Sequence, residues 1–218
     1  MGIAGEVRII GTPAEEGGAG KAVMLERGGF DGVDFALMIH PTCGGESRNY
    51  INRNGRASGS LTISFTGQSA HSSAPATGIN ALTAAISVFN QIDMLRPLFE
   101  TEDNVNGVIL EGGTASNIIP GFSKSEFCIR AATMKRVDEL QNMIINCAKR
   151  AESLTGAKVQ IQSEPIYAER YPCLPIGEDF KENMARVGVG MCLPDPKLLI
   201  GSSDIGNVSI KIPAIHDY

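Results

Sequence analysis

Between residues 57 and 162 the apolar pattern changes its period in a fixed order, and that order leaves few folds open. Leu61, Ile63 and Phe65 alternate with Ser60, Thr62, Ser64 and Thr66, the period of two of a half-buried strand. Ile79, Leu82, Ile86, Phe89 and Ile92 then step by three and four, which predicts an amphipathic helix. Residues 105–110 read as a strand. Phe127, Ile129 and Ala131 alternate with Glu126, Cys128 and Arg130 and read as another. Val137, Leu140, Ile144, Ala148, Ala151 and Leu154 predict a second helix, with Gly156 as its stop. Val159 and Ile161 alternate with Lys158, Gln160 and Gln162 in a last strand. The order β-α-β-β-α-β is the split-βαβ, ferredoxin-like α+β plan. It implies a four-stranded antiparallel sheet with two helices on one face and a polar face toward solvent.

The flanking segments follow a different rule. Residues 6–10 and 33–39 read as strands, and residues 17–29 hold a short helix with a glycine-rich entry. Strand, helix, strand is a βαβ unit with a parallel sheet. Residues 41–55 are rich in Gly and Asn and read as a linker. After residue 165 the chain returns to this first unit, with a helix at 178–189 and a strand at 206–212. The expected architecture is α/β. A parallel-sheet domain (1–55 and 166–218) is interrupted by the α+β domain (56–165).

Chemistry concentrates where strands of the first unit end, as sites in open α/β sheets do. Residues 11–16 read Gly-Thr-Pro-Ala-Glu-Glu, and His40 closes the strand at 33–39. Adjacent carboxylates push one pKa up unless a cation holds both down. A divalent metal would let one bind metal and the other handle protons. A solvated acidic turn opening a helix accounts for the pair alone. His40 at the same sheet edge favours the metal. No Gly-Lys-Ser/Thr follows the glycines, since Lys21 precedes Ala22, so a phosphate loop is not expected.

A net charge of −5 with no basic run disfavours nucleic acid and anionic membranes. No apolar stretch approaches membrane-spanning length, and no signal peptide is read at the N-terminus, so a cytoplasmic protein is expected. The five cysteines are odd in number and scattered, which suits reduced thiols. Cys147 falls on a helix's apolar face, and Cys43 reads as a surface-loop residue.

The segments "GTPAEEGGAGKAVMLERGGFDGVDFALMIHP", "GQSAHSSAP", "GGTASNIIP" and "GSSDIGNVSIKIPAIHDY" resemble, in order and spacing, the aminoacylase and carboxypeptidase family of co-catalytic metallopeptidases. The likeness is to its amidohydrolase branch, which includes enzymes for p-aminobenzoyl-glutamate and for dipeptides ending in basic residues. The resemblance implies a catalytic domain interrupted by a lid that also forms a homodimer. It implies a metal-dependent amidohydrolase or dipeptidase acting on a small substrate with a carboxylate. Glu15 is then the general base, Glu16 and His40 are metal ligands, and His71 from the partner subunit steadies the oxyanion. Asn117 and Arg130 grip the carboxylate. The metal is zinc, with manganese or cobalt as alternatives.

Read without the resemblance, His71 lies in a helix-entry loop capped by Ser72 or Ser73, Asn117 lies in a turn, and Arg130 is a solvated surface charge. Ser203 and Asp204 match a family motif at the cleft, but a strand-preceding turn explains them equally well, and no role is assigned. The family also places a Cys-Gly-His-Asp-x-His motif ahead of the Glu-Glu pair and a last His ligand beyond residue 218. His216 reads as preceding that ligand. On this pattern the chain is expected to be truncated at both ends, with an incomplete metal site. A catalytically inactive fragment serving as a dimerisation module is the alternative.

Overall fold

The computed structural model describes residues 4–41, 49–195 and 201–217. In chain order its elements begin with α1 (Gly20–Glu26), β1 (Ala36–Ile39), β2 (Ala57–Thr66) and β3 (Ala70–His71). Next come α2 (Ala81–Leu95), β4 (Asn104–Glu111), β5 (Ile118–Ile119) and β6 (Phe122–Ala131). Then follow α3 (Met134–Thr155), β7 (Lys158–Ser163), α4 (Leu174–Arg186), α5 (Ile205–Ser209) and β8 (Ala214–Asp217).

The alternating segments form the expected sheet. Its order is β4-β6-β2-β7, antiparallel throughout, which is the split-βαβ arrangement. Odd-numbered residues of β2 and β6 (Leu61, Ile63, Phe65, Phe127, Ile129) are buried in one core with α2 and α3. The helices take their ends from their own residues. The Asn80 side chain accepts from Thr83 N at 3.0 Å and caps α2, so neither Ser72 nor Ser73 is the cap. Gly156 ends α3 at φ 77°, the left-handed conformation that glycine adopts without a Cβ penalty.

The apolar faces are partly as expected. Val137, Leu140, Ile144, Cys147, Ala148 and Ala151 of α3 are buried, while Leu154 is exposed. On α2 the buried set is Ala81, Ala84, Ala85, Val88 and Ile92, and Ile86 is 45% exposed. Small residues fill much of the contact with the sheet, and Phe89 joins it with its ring 5.0 Å from that of Phe127.

The flanking segments depart further. Residues 206–212 are not a strand: α5 occupies their start, because Ile205, Val208 and Ile212 follow a helical step and pack with Phe30. The last strand is instead β8, which pairs in parallel with β1 through Met38↔His216 and Ile39↔Asp217. Residues 6–10 form no ladder, and Val7 and Ile9 stand 94% and 99% exposed. A strand persists only where its backbone finds a partner, and β1 pairs with β8 rather than with this segment. β1 is not buried on both faces, since Leu37 and Ile39 are about three-fifths exposed. Among the described residues no helix is long and apolar enough to cross a membrane.

Phe127 is 1% exposed at the centre of the main core. Phe127→Ala is expected to cost about 3–5 kcal/mol, read as a lower urea midpoint with an unchanged m value.

Candidate active site

The Glu15–Glu16 pair lies in a turn over residues 15–18, ahead of α1 rather than inside it. Glu15 is half-buried and Glu16 exposed. The turn is unusual in backbone terms. Ala14 and Ala19 hold φ 59° and 48°, and Gly18 holds 97°, so two alanines occupy a region that L-residues rarely enter. Gly20 is required by close approach: a Cβ there would fall 1.8 Å from the Pro13 carbonyl oxygen. α1 has no side-chain cap of its own. Its first turn is held from a distance, because Asp204 Oδ2 accepts from Lys21 N at 2.8 Å and Asp204 Oδ1 from Lys21 Nζ at 2.7 Å. That ion pair is buried, with side chains 5% and 0% exposed. The Tyr167 hydroxyl donates to Glu15 O at 2.9 Å and accepts from Ala19 N at 3.1 Å. Burial chiefly raises the Tyr167 pKa, and the charges of Asp204, Glu15 and Glu16 add to this, so the hydroxyl keeps its proton.

His40 follows β1, and its backbone N–H donates to Asp217 O at 2.9 Å. Its Nδ1 faces Pro41 O at 2.8 Å. A carbonyl only accepts, so Nδ1 carries the proton and Nε2 the lone pair. The His216 ring lies 5.6 Å away, centroid to centroid and edge-on. His216 is 1% exposed. Its Nδ1 meets Arg170 Nη1, and a guanidinium only donates. Burial first, then the Arg170 charge, bring the His216 pKa down to about 3. Asp217 beside it is pushed up to about 6 by burial, against the Asn52 N–H bond and Arg170. Arg170 also donates to Arg53 O and Asn54 O, each at 2.7 Å, so it binds the two segments that lead into and out of the four-stranded sheet.

His71 and Asn117 come together on the β3–β5 ribbon, where His71 pairs with Ile118 and Ser72 N donates to Asn117 O at 2.9 Å. Both are exposed. His71 Nδ1 accepts from Ser73 N at 3.2 Å and lies 2.7 Å from Ser73 Oγ, which leaves the proton on Nε2. Among the described residues, neither His71 nor Asn117 hydrogen-bonds to Glu15 or Glu16. Arg130 is half-buried rather than solvated, and its Nη1 donates to Ser202 Oγ at 3.0 Å. That contact joins the four-stranded sheet to the Gly-Ser-Ser-Asp segment and so to Asp204.

A divalent metal fits the donors in kind. An exposed carboxylate on Glu16 and a His40 ring whose Nδ1–H is fixed by a backbone carbonyl are the usual preparation of a ligand. Among the described residues, no group of three His, Cys, Asp or Glu side chains forms a metal cluster. Cys43 lies outside the described residues.

Of the residues that hold the site together, Tyr167, Arg170 and Asp217 were not singled out in the sequence, while Lys21, Asp204 and His216 were named there without a role in the site. Asp204 carried a signal, its place in the Gly-Ser-Ser-Asp motif. Tyr167, which is half-buried, and Arg170, which is buried, lie in none of the sequence motifs.

Residues 51–153 match the peptidase dimerisation domain. The chain is 34% identical over 217 residues to the Xaa-Arg dipeptidase of Mus musculus, covering 98% of this chain and 49% of that protein. The aminobenzoyl-glutamate utilization protein of Klebsiella pneumoniae superposes with a TM-score of 0.81 at 22% identity, over 94% of this chain and 55% of that one. A dinuclear metal-binding M20 peptidase of Bacillus subtilis superposes with a TM-score of 0.59 at 20% identity, over 94% and 53%. The chain spans about half the length of the relatives it matches.

Two expectations follow. Gly20→Ala drives a methyl into the Pro13 carbonyl and should lower stability by about 1–3 kcal/mol, measured by thermal unfolding. The second concerns pH in the metal-free protein. His216 has its folded pKa depressed from 6.5 to about 3, so its stability is present above pH 6.5 and is lost as pH falls. Asp217 runs oppositely: its pKa is raised from 3.8 to about 6, so the fold gains as pH falls through that window. Removing the histidine leaves only the gain. The stability of His216→Gln relative to wild type should therefore rise between pH 6.5 and pH 4, by up to about 1.4 kcal/mol per unit. Urea unfolding at several pH values checks this, and a difference flat in pH would mean that His216 titrates normally in the fold.

Proposed function

We propose that the chain, which is similar to M20 peptidases, works as a metal-dependent amidohydrolase or dipeptidase on a small substrate with a carboxylate. The observation that carries this is one chain of contacts. Tyr167 binds the Glu15 turn, Asp204 binds the helix after that turn, and Arg130 reaches Ser202 beside Asp204. A candidate base and a candidate carboxylate-binding arginine are thereby held in one assembly.

In this reading Glu15 takes a proton from the attacking water and returns it to the leaving amine. Glu16 and His40 hold the metal, zinc first and manganese or cobalt as alternatives. When bound, that ion supplies Lewis acidity, polarising the amide carbonyl and acidifying water. Its support is the likeness to the Bacillus subtilis dinuclear peptidase together with the His40 tautomer. His71, with its proton on Nε2, donates to the oxyanion, from the partner subunit. One of the five Arg130 donors goes to Ser202, and the fork has others for a carboxylate. Asn117 binds the same carboxylate. An N-acyl amino acid or a dipeptide ending in a basic residue suits the likeness to Xaa-Arg dipeptidase.

The division we propose puts the catalytic part in residues 1–55 and 166–218 and the lid in 56–165, with a homodimer formed through the lid.

The test is zinc content and turnover of dipeptides and N-acyl amino acids, run on wild type, Glu15→Ala and His40→Ala, with mass measured by light scattering. The expected result is a dimer whose zinc is lost in His40→Ala. Turnover should fall about 10²–10⁴-fold in Glu15→Ala. A well-folded dimer with neither zinc nor turnover would sink the hydrolase reading and leave dimerisation as the role of the chain.

A further inference from the structure

We propose that Tyr167 is a positioning residue for Glu15, locking the base turn to the sheet that carries Arg130. This rests on the reading of Glu15 as the base. The hydroxyl touches only backbone, Glu15 O on one side and Ala19 N on the other. One phenol thus closes both ends of a turn whose flanking alanines sit in the left-handed region. Such a backbone persists only where its surroundings hold it.

The backbone of Tyr167 belongs to the sheet. Ser58 N donates to Tyr167 O at 2.9 Å, and Tyr167 N donates to Ser58 O at 2.8 Å. On its other side Ser58 pairs with Arg130. Tyr167, Ser58 and Arg130 therefore form one rung across three chain segments. Residues directly opposite one another share a face. For this rung it is the face away from α2 and α3, because Ala57 and Gly59 of β2 and Ile129 and Ala131 of β6 turn to the helices. Two strand spacings put the Tyr167 and Arg130 backbones about 10 Å apart. From the two ends of this rung, one side chain reaches the base turn and the other reaches Ser202. The sheet acts as a rigid spacer between the group that attacks the amide and the group that binds the carboxylate, and the phenol is the joint at one end. Removing the hydroxyl keeps the ring and frees the joint.

The experiment compares wild type with Tyr167→Phe by amide hydrogen exchange, zinc titration calorimetry and steady-state kinetics on a dipeptide. Exchange at Ala19 should speed at least tenfold, with α3 amides unchanged as the check on folding. Zinc, held through Glu16 of the same turn, should bind several-fold more weakly. The kcat should fall about tenfold to a hundredfold at nearly constant KM, as misplacement of a catalytic group does. Unchanged exchange at Ala19 would overturn the clamp. Faster exchange with unchanged zinc affinity and kcat would overturn positioning, since the turn would then be loose without consequence. A wild-type chain that neither binds zinc nor cleaves the dipeptide would overturn the hydrolase reading and the role of Glu15 with it. That outcome is distinct from a defect confined to Tyr167→Phe.

Discussion

The buried ion pair between Lys21 and Asp204 is the constraint on which the rest of the site depends. It spans 183 positions of sequence and joins the helix after the Glu15–Glu16 turn to the Gly-Ser-Ser-Asp segment. Desolvating both charges is costly, and a buried pair of this kind adds little net stability. What it contributes is a unique placement, since either charge left alone would cost about 3–5 kcal/mol. The carboxylate does a second job by accepting from Lys21 N, where α1 lacks a cap. With Asp204 placed, Ser202 is placed, and Ser202 is where Arg130 arrives from the other sheet.

The four-stranded sheet serves this arrangement because only one of its faces is committed to the core. The odd-numbered residues of β2 and β6 meet the helices, and the even-numbered ones remain available for polar work, Arg130 among them. Among the described residues its outer strand β4 has no further neighbour, and it carries Val108 and Leu110 at 52% exposure. An apolar outer edge invites a partner strand, which agrees with the match to a dimerisation domain and with the proposed second copy supplying His71.

The alternating segments were legible because each β2 or β6 residue that faces the helices is apolar or small, so the period of two survived into the structure. Around α2 the helical step held at Ile79, Phe89 and Ile92, which pack in the core, and departed at Ile86, which is exposed while Ala84 and Ala85 bury; close packing rewards small size, which an apolar count ignores. Residues 206–212 looked like a strand because Val208, Ile210 and Ile212 alternate. Ile205, Val208 and Ile212 also satisfy a helical step, and burial against Phe30 favoured the helix. In the site, Glu15, Glu16 and His40 stood out by residue type and position. Tyr167 and Arg170 could not, because their work is done by long-range hydrogen bonds to backbone carbonyls and amides. Such bonds leave no pattern in local sequence.

The chain's three histidines show how partners, more than residue identity, divide the chemistry. His40 Nδ1–H donates to a carbonyl, which puts the lone pair on Nε2, the tautomer a metal takes. His71 has its Nδ1 occupied by the Ser73 N–H, which puts the proton on Nε2, the form an oxyanion takes. His216 receives a guanidinium proton at Nδ1 and is sealed in the β8 layer. It is therefore kept neutral and serves as packing between Arg170 and His40 rather than as a cation. Exchanging the partners would exchange the roles. A ligand role for His216 would need its Nδ1 released from Arg170, and the two segments that Arg170 holds together would then lose one of the contacts that tie them to β8, keeping those of Asn52 N to Asp217 and Cys173 N to Ala214 O.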